Sequence, residues 1–185
     1  MSRRMWLAEE HPARRVALEC VRLGLGVAAI TASSWIAIPV GPVPITLQTL
    51  AVLLIGATYG TRRASSTVLA WLSAGAFGAP VFADGAGGSV HLLGHTGGYL
   101  LAFLPAAWAI AWASERGWLD RFLPALGAFL AGSALILAFG FSRLAMFIGP
   151  ESAWSFGVAP FVFGGILKAV MGAALVSPTR KLIQL

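Results

Sequence analysis

Three basic residues lie inside long apolar segments of the chain: Arg22, Arg143 and Lys168. Lys168 stands roughly eight residues into the last segment, or roughly 12 Å deep at ~1.5 Å per residue. No acidic residue shares that segment with it. An ammonium at such depth costs about 2.5–3.5 kcal/mol on membrane-insertion scales. A water-filled cavity, backbone carbonyls or an anionic ligand must offset that cost, so Lys168 is the first candidate for ligand binding.

The other two cations have simpler alternatives. Arg143 stands roughly five residues before the outer end of its segment, so it can either reach the outer interface or join a ligand site. Arg22 lies near the inner end of the first segment and fits an interfacial anchor. We therefore keep Arg143 as a candidate ligand residue and set Arg22 aside.

A glycine-rich stretch, Phe82–Gly98, separates the third and fourth apolar segments. Glycine permits positive φ and close approach of the backbone to a ligand. Backbone groups cannot face lipid unpaired, so we expect this outer loop to lie on protein or in a cavity rather than to be a plain flexible connector. The candidates for ligand contact are Asp84, Thr96, Gly97, Gly98 and Tyr99, together with Gln48 at the outer end of the second segment.

The sequence gives little evidence for a metal site or for an enzyme active site. His91 and His95 are four residues apart with Asp84 nearby, but no Cys or Glu joins them in this loop, so we predict no metal site. An intramembrane enzyme acting on a lipid-like substrate is the alternative from another class. It requires a nucleophile–base pair or a metal, and no nucleophile elbow or Walker-type loop is visible.

Six apolar segments must position these residues, and we read each as a membrane helix, although the second is rather short. Of the 185 residues, 58% are hydrophobic and 11% are charged, against about 25% charged in soluble domains. What remains suffices for short loops, so residues 1–185 form one all-α membrane domain. The predicted spans are Val16–Ile38, Ile45–Tyr59, Ala64–Val81, Tyr99–Ser114, Phe122–Ile148 and Pro160–Val176.

Basic residues outside these spans predict their orientation. Cytoplasmic loops hold positive charge because cationic segments resist translocation. Basic stretches occur at every second gap, which predicts a multi-pass protein of the cell inner membrane with both termini in the cytoplasm. Membrane topology thus explains most of the net charge of +6, and no nucleic-acid partner is predicted. The four stretches are Arg3, Arg4, Arg14 and Arg15; Arg62 and Arg63; Arg116 and Arg121; and Arg180 and Lys181.

The first span carries a ladder of small residues, Gly24, Ala28 and Ala32. A spacing of four puts all three on one helical face, where another backbone can approach closely. The ladder either packs within this chain or forms a docking face for a partner.

Four segments, in this order, resemble the BioY family, which supplies the biotin-binding S components of energy-coupling factor transporters. They read PVPITLQTLAVLL from Pro42, GAPVF from Gly78, GHTGGYL from Gly94, and Leu167-Lys168. The resemblance covers most of the chain, roughly Ala32 to Ala173. It implies a six-helix subunit that captures biotin from outside.

The resemblance also implies partners. In S components an Ala-x-x-x-Ala face on the first helix docks a transmembrane coupling protein, and Ala28 and Ala32 match it. That protein works with a pair of ATPases, so ATP is used by the partners, and this chain is expected to bind no cofactor.

Two positions depart from the family pattern. The family has an acidic residue three positions before the lysine of the last span, where this chain has Gly165, and a Trp where it has Arg143. Lys168 remains as the implied partner of the biotin carboxylate, while one acceptor for the ureido ring is lost at Gly165. The alternative ligand is therefore another small anionic vitamin-like molecule, bound by a divergent paralogue.

Overall fold

The computed structural model describes residues 12–183, with side chains for 13–178. This part of the chain folds into helices and one small hairpin. The hairpin pairs two antiparallel strands, β1 (Ala37–Ile38) and β2 (Ile45–Thr46). The helices are α1 (Pro12–Trp35), α2 (Gln48–Tyr59), α3 (Thr61–Ala76), α4 (Ser89–Leu93), α5 (Gly97–Glu115), α6 (Phe122–Ile148), α7 (Pro150–Gly157) and α8 (Ala159–Ile183).

The predicted spans match the observed helices best where the apolar run is longest. The fifth predicted span coincides with α6 at both ends, and the fourth lies within α5. The first predicted span runs past the end of α1, and the second begins before α2. The reason is that residues 37–38 and 45–46 form the hairpin strands instead of helix. The third ends at Ala76 rather than Val81, since Gly78 has a φ of 97° that a continuing helix cannot adopt.

Four helical segments of the described chain are long and apolar enough to cross a membrane: Ala13–Trp35, Gly97–Glu115, Phe122–Ile148 and Pro150–Pro178. The last of these combines α7 with α8. The 12 residues of α2 span only ~18 Å at ~1.5 Å each, and the 16 residues of α3 ~24 Å, against a hydrocarbon core of about 30 Å. Length and composition therefore indicate a multi-pass helical membrane protein, with α2 and α3 below the length of a full span.

Helix α5 lies at the centre of the bundle and packs against α2, α3 and α6. Small residues allow this close approach: a Cβ on Gly56 of α2 would lie 2.6 Å from the carbonyl oxygen of Ala107. Helices α6 and α8 meet in the same way, since a Cβ on Gly172 would overlap the ring of Phe129. Close helix contacts of this kind fix the walls of the site described below.

Helix α1 buries one face and exposes the other. Ile30 and Ser34 are fully buried, whereas Gly24, Ala28 and Ala32 are exposed. The small-residue ladder therefore does not pack within the described chain, and the first of its two interpretations is wrong. The reason is that Gly26, on the opposite face, makes the close contact with Thr67 of α3.

The end of the bundle that carries Arg62 and Arg63 is tied together by polar contacts. Glu19 of α1 pairs with Arg63 at 2.6 Å. Glu115 at the end of α5 accepts hydrogen bonds from the backbone N–H and hydroxyl of Thr61 at 2.7 and 3.0 Å. Of the remaining basic stretches, Arg3 and Arg4 lie outside the described residues, as do the side chains of Arg180 and Lys181.

Candidate ligand-binding site

A cavity of about 310 Å³ lies between the hairpin, the outer loop, α2, α5, α6 and α8. Small-molecule pockets begin at about 300 Å³ and are mostly apolar with a few polar groups. The apolar wall consists of Pro42, Val43, Pro44, Phe82, Ala83, Ala86, Leu100, Phe103, Ile136, Leu137 and Phe161. The remaining lining residues are Thr46, Gln48, Thr49, Asp84, His91, Thr96, Tyr99, Ser133, Gly165 and Lys168.

Lys168 lies on this wall, half-buried, as the sequence predicts. Its Nζ donates a hydrogen bond to the backbone carbonyl of Thr46 at 2.5 Å. A backbone carbonyl is one of the groups expected to offset the free-energy cost of placing an ammonium at this depth. Because an ammonium has three donors, this bond leaves two N–H groups for a ligand anion.

Gln48 is 4% exposed, and its Nε2 has no partner among the described residues. Its position is fixed by Thr46, whose hydroxyl donates to Oε1 and accepts from the Gln48 backbone N–H, both at 3.3 Å. Leaving a buried donor unsatisfied costs about 1–3 kcal/mol. An acceptor on a ligand in this cavity would remove that cost.

The outer loop lies on the protein, in line with its glycine-rich sequence. The N–H of Gly88 donates to the carbonyl of Gly75 at 2.7 Å, at the end of α3. Asp84 adopts a φ of 57°, a left-handed conformation that Asp tolerates better than most residues. The loop thereby brings Asp84 and Thr96 to the cavity wall.

Tyr99 presents its aromatic ring to the cavity. Its hydroxyl donates to the carbonyl of Gly157 at 2.7 Å, and its ring stacks on Phe161 with centroids 6.0 Å apart. Gly140 provides the space, since a Cβ there would overlap the Tyr99 ring. Tyr99 and Phe161 together form a flat apolar surface on one wall.

Gly97 and Gly98 do not line the cavity, contrary to the expectation that they give a ligand access to the backbone. A Cβ on Gly98 would overlap the carbonyl oxygen of Phe139 and lie 2.6 Å from the Cβ of Arg143. A Cβ on Gly97 would overlap the carbonyl of Leu92. These glycines instead let the start of α5 pack closely against α6 and the outer loop.

Arg143 is also absent from the cavity lining. Its Nη2 donates a hydrogen bond to the carbonyl of Leu93, at the end of α4, and its guanidinium lies 5.1 Å from the centre of the Phe147 ring. The cation is thus satisfied by the outer loop rather than placed for a ligand. Gly165 does line the cavity, and a Cβ there would meet nothing within 4 Å, so this position has room for a side chain.

The two loop histidines point to different neighbours. His91 lines the cavity, with its ring centroid 6.0 Å from that of Phe82, whereas the His95 ring lies 4.7 Å from Phe147. Among the described residues, no group of three His, Cys, Asp or Glu side chains is placed to hold a metal ion.

Sequence reasoning missed Ser133 and most of the apolar wall. Ser133 stands in a continuous apolar run with nothing local to mark it, because only the packing of α6 decides which of its faces meets the cavity. The residues Pro42–Pro44 lie in the hairpin turn, four to six residues before Gln48, so their nearness in sequence to a predicted ligand residue was a usable signal.

Comparison with known proteins agrees with the motifs. The family model described as "BioY family" matches residues 7–185. A biotin transporter BioY of Thermotoga maritima is 34% identical over 165 residues, covering 89% of this chain and 96% of that protein. A probable biotin transporter BioY of Pyrococcus horikoshii is 39% identical over 153 residues, covering 83% and 90%. The biotin transporter BioY2 of Lactococcus lactis is 38% identical over 151 residues, covering 80% and 82%.

The fold has a solved counterpart. It is the crystal structure of the S-component for biotin from an ECF-type ABC transporter, with a TM-score of 0.80. The match covers 92% of this chain and 95% of the other at 23% identity, so it bears on the fold. The family model extends over nearly the whole sequence, and the resemblance inferred from the motifs is confirmed. The chain therefore belongs to the BioY family.

Proposed function

We propose that this chain is the substrate-binding membrane subunit of a biotin uptake system and captures biotin from the outer side. The observation that carries the proposal is an apolar cavity in whose wall, among the described residues, Lys168 supplies the single ammonium. Biotin is an apolar ring and chain with a carboxylate at one end and a ureido group at the other. Relatives that span nearly the same length are named biotin transporters, which supports transport rather than catalysis.

The cavity suggests how each part of biotin is held. The free N–H groups of Lys168 bind the carboxylate, since a charge-assisted hydrogen bond is about twice as strong as a neutral one. The rings of Tyr99, Phe103 and Phe161 face the apolar part of the ligand. Gln48 and Asp84 provide further hydrogen-bonding groups on the cavity wall.

We further propose six membrane crossings with both termini in the cytoplasm. Helices α2 and α3 complete the set of six although each is short, and the hairpin and outer loop extend their outer ends. Arg62, Arg63, Arg116 and Arg121 then lie on the cytoplasmic side of an inner membrane.

Uptake needs an energy source, which we assign to partners. The exposed face of α1 formed by Gly24, Ala28 and Ala32 is the proposed docking surface for a transmembrane coupling protein. That protein acts with a pair of ATPases that consume ATP.

A second ligand class has one observation in its favour. Gly165 leaves open space at the position where the family has an acidic residue. A small anionic vitamin-like molecule without a ureido group would not miss that acceptor. Direct comparison of ligands on the purified protein separates the two.

The experiment is calorimetry on detergent-purified protein with biotin and biotin methyl ester. We expect Lys168→Met to weaken biotin binding by roughly 10–100-fold, equivalent to about 1.5–3 kcal/mol for a hydrogen bond to a charged group. The ester, which lacks the anion, should bind the wild type more weakly than biotin and should bind Lys168→Met about as well as the wild type.

Arg22→Met is the matched control, because Arg22 is a cation in an apolar segment that lies away from the cavity. It should bind biotin like the wild type. Biotin affinity unchanged in Lys168→Met would show that the carboxylate is held elsewhere. Absence of biotin binding to the wild type, with tight binding of another anion, would favour the second ligand class.

A further inference from the structure

Ser133 of α6 is a buried hydroxyl without a partner on the wall of the cavity. Ser133 is 6% exposed, and its Oγ makes no hydrogen bond to any described residue. Its neighbours on the same wall, Ile136 and Leu137, offer no polar group. A hydroxyl in such surroundings is destabilising unless a ligand group forms a hydrogen bond with it.

Several other hydroxyls in these helices pair within their own helix. Beyond the first turn, a helical Ser or Thr can donate to the carbonyl four residues earlier. Thr31, Thr58 and Ser142 do so at 2.8 Å, and Ser155 at 3.0 Å. Ser133 does not make this bond, so its hydroxyl remains free to pair with another molecule.

The Ser133 hydroxyl and the Lys168 ammonium lie toward different ends of the cavity. The two residues are about level in the bundle, since each stands four residues from the contact between Phe129 of α6 and Gly172 of α8. The ammonium, however, extends to the carbonyl of Thr46 in the hairpin, before α2 begins. Ser133 follows Gly132, whose Cβ would lie 2.8 Å from Leu53, five residues into α2 or roughly 8 Å beyond its start. The hydroxyl therefore lies further from the hairpin than the group that binds the carboxylate.

We propose that Ser133 hydrogen-bonds the ureido group of the ligand and is a specificity determinant of the site. This inference rests on the proposed function and adds to it the direction in which biotin lies, ring end deepest. A serine hydroxyl is one donor and two acceptors, and rotation about a single torsion turns it toward the cavity. It thus pairs with either the ureido oxygen or a ureido N–H, and it supplies part of what Gly165 lacks.

The test compares Ser133→Ala with Thr67→Val. Thr67 Oγ1 is also buried without a partner, but it lies against Gly26 of α1 and not on the cavity wall. We expect Ser133→Ala to weaken biotin binding about 3–10-fold, the range for a neutral hydrogen bond, and Thr67→Val to leave it unchanged. Both variants remove an unsatisfied buried hydroxyl, so each should retain the thermal stability of the wild type or exceed it.

Lipoate separates the ring end from the chain end, because it shares the valerate chain but carries a dithiolane ring with no N–H or C=O. Ser133→Ala should leave lipoate binding unchanged, so the ratio of biotin to lipoate affinity should fall by the same 3–10-fold. Biotin methyl ester should lose as much affinity as biotin does, since the carboxylate lies at the other end.

Equal affinities of Ser133→Ala and the wild type for biotin would overturn the assignment while leaving the proposed function intact. So would an equal loss in Thr67→Val, or an equal loss for biotin and lipoate. Failure of the wild type to bind biotin would overturn both proposals.

Discussion

Arg143 shows how a cation in an apolar segment is satisfied without a ligand. Its guanidinium binds the last carbonyl of α4 and lies over the Phe147 ring, which also contacts His95. Both contacts belong to the outer loop or to α6, next to the loop residues that line the cavity. Arg143 is thus a positioning residue, in contrast to Lys168, whose ammonium lies on the cavity wall itself.

Replacing Arg143 by Met should loosen the outer loop. Because a hydrogen bond from a charged donor contributes about 1.5–3 kcal/mol, we expect backbone amides of residues 89–96 to exchange with deuterium about 10-fold faster or more. Hydrogen-exchange mass spectrometry measures this. Lys168→Met, which leaves the Leu93 contact in place, should keep wild-type protection there. Equal protection in Arg143→Met and the wild type would show that the contact with Leu93 does not hold the loop.

At the scale of elements, α1 separates two roles by its faces. Gly26, Ile30 and Ser34 pack inward. The Ser34 hydroxyl contacts the carbonyls of Val81 and Phe82 at 2.8 and 3.2 Å, which ties α1 to the start of the outer loop. The exposed small-residue ladder leaves room for a second helix to approach. In the proposed function, ligand binding and partner docking thus use different surfaces of the same bundle.

Large side chains on the ladder should separate those two functions. We expect Ala28→Trp and Ala32→Trp to abolish uptake, or assembly with the coupling protein, while the purified subunits bind biotin like the wild type. Transport assays and calorimetry measure the two effects. Ala29→Trp is the matched control, because Ala29 is exposed but its side chain points about 100° around the helix from that of Ala28. Loss of uptake in Ala29→Trp to the same extent would argue against a defined docking face.

At the scale of the whole molecule, orientation depends on whether the short helix α3 crosses the membrane. Arg62 lies at its first turn, and the loop bearing Ser89 is anchored at its other end through Gly75 and Gly88. The two positions are therefore separated by the length of α3, about 24 Å at ~1.5 Å per residue.

Single cysteines at these positions should label from opposite sides. Cys20 is exposed on α1, so it is first replaced by Ala. A membrane-impermeant thiol reagent should then modify Ser89→Cys in intact cells and Arg62→Cys only after the membrane is opened, because the basic stretch stays in the cytoplasm. Labelling of both cysteines in intact cells would contradict the proposed topology.

The sequence by itself determined the long helices and the principal charge. A continuous apolar run in lipid has to satisfy its own backbone, so α5 and α6 follow from composition alone. Lys168 stood out for the same reason, since the depth of an ammonium can be counted along the chain. Gln48 was a candidate because it is a polar residue at the outer end of an apolar segment, and Asp84, Thr96 and Tyr99 were candidates because of the glycine-rich outer loop.

Only the tertiary structure decided what the remaining candidates do. Whether Gly98 meets a ligand or α6 depends on how closely two helices approach, and whether Arg143 reaches the cavity or the outer loop depends on the direction of a long side chain. Ser133 was invisible for a related reason: every face of α6 is apolar in sequence, and packing alone selects the one that lines the cavity. Local sequence records the propensities of a segment, whereas these contacts join residues far apart in the chain.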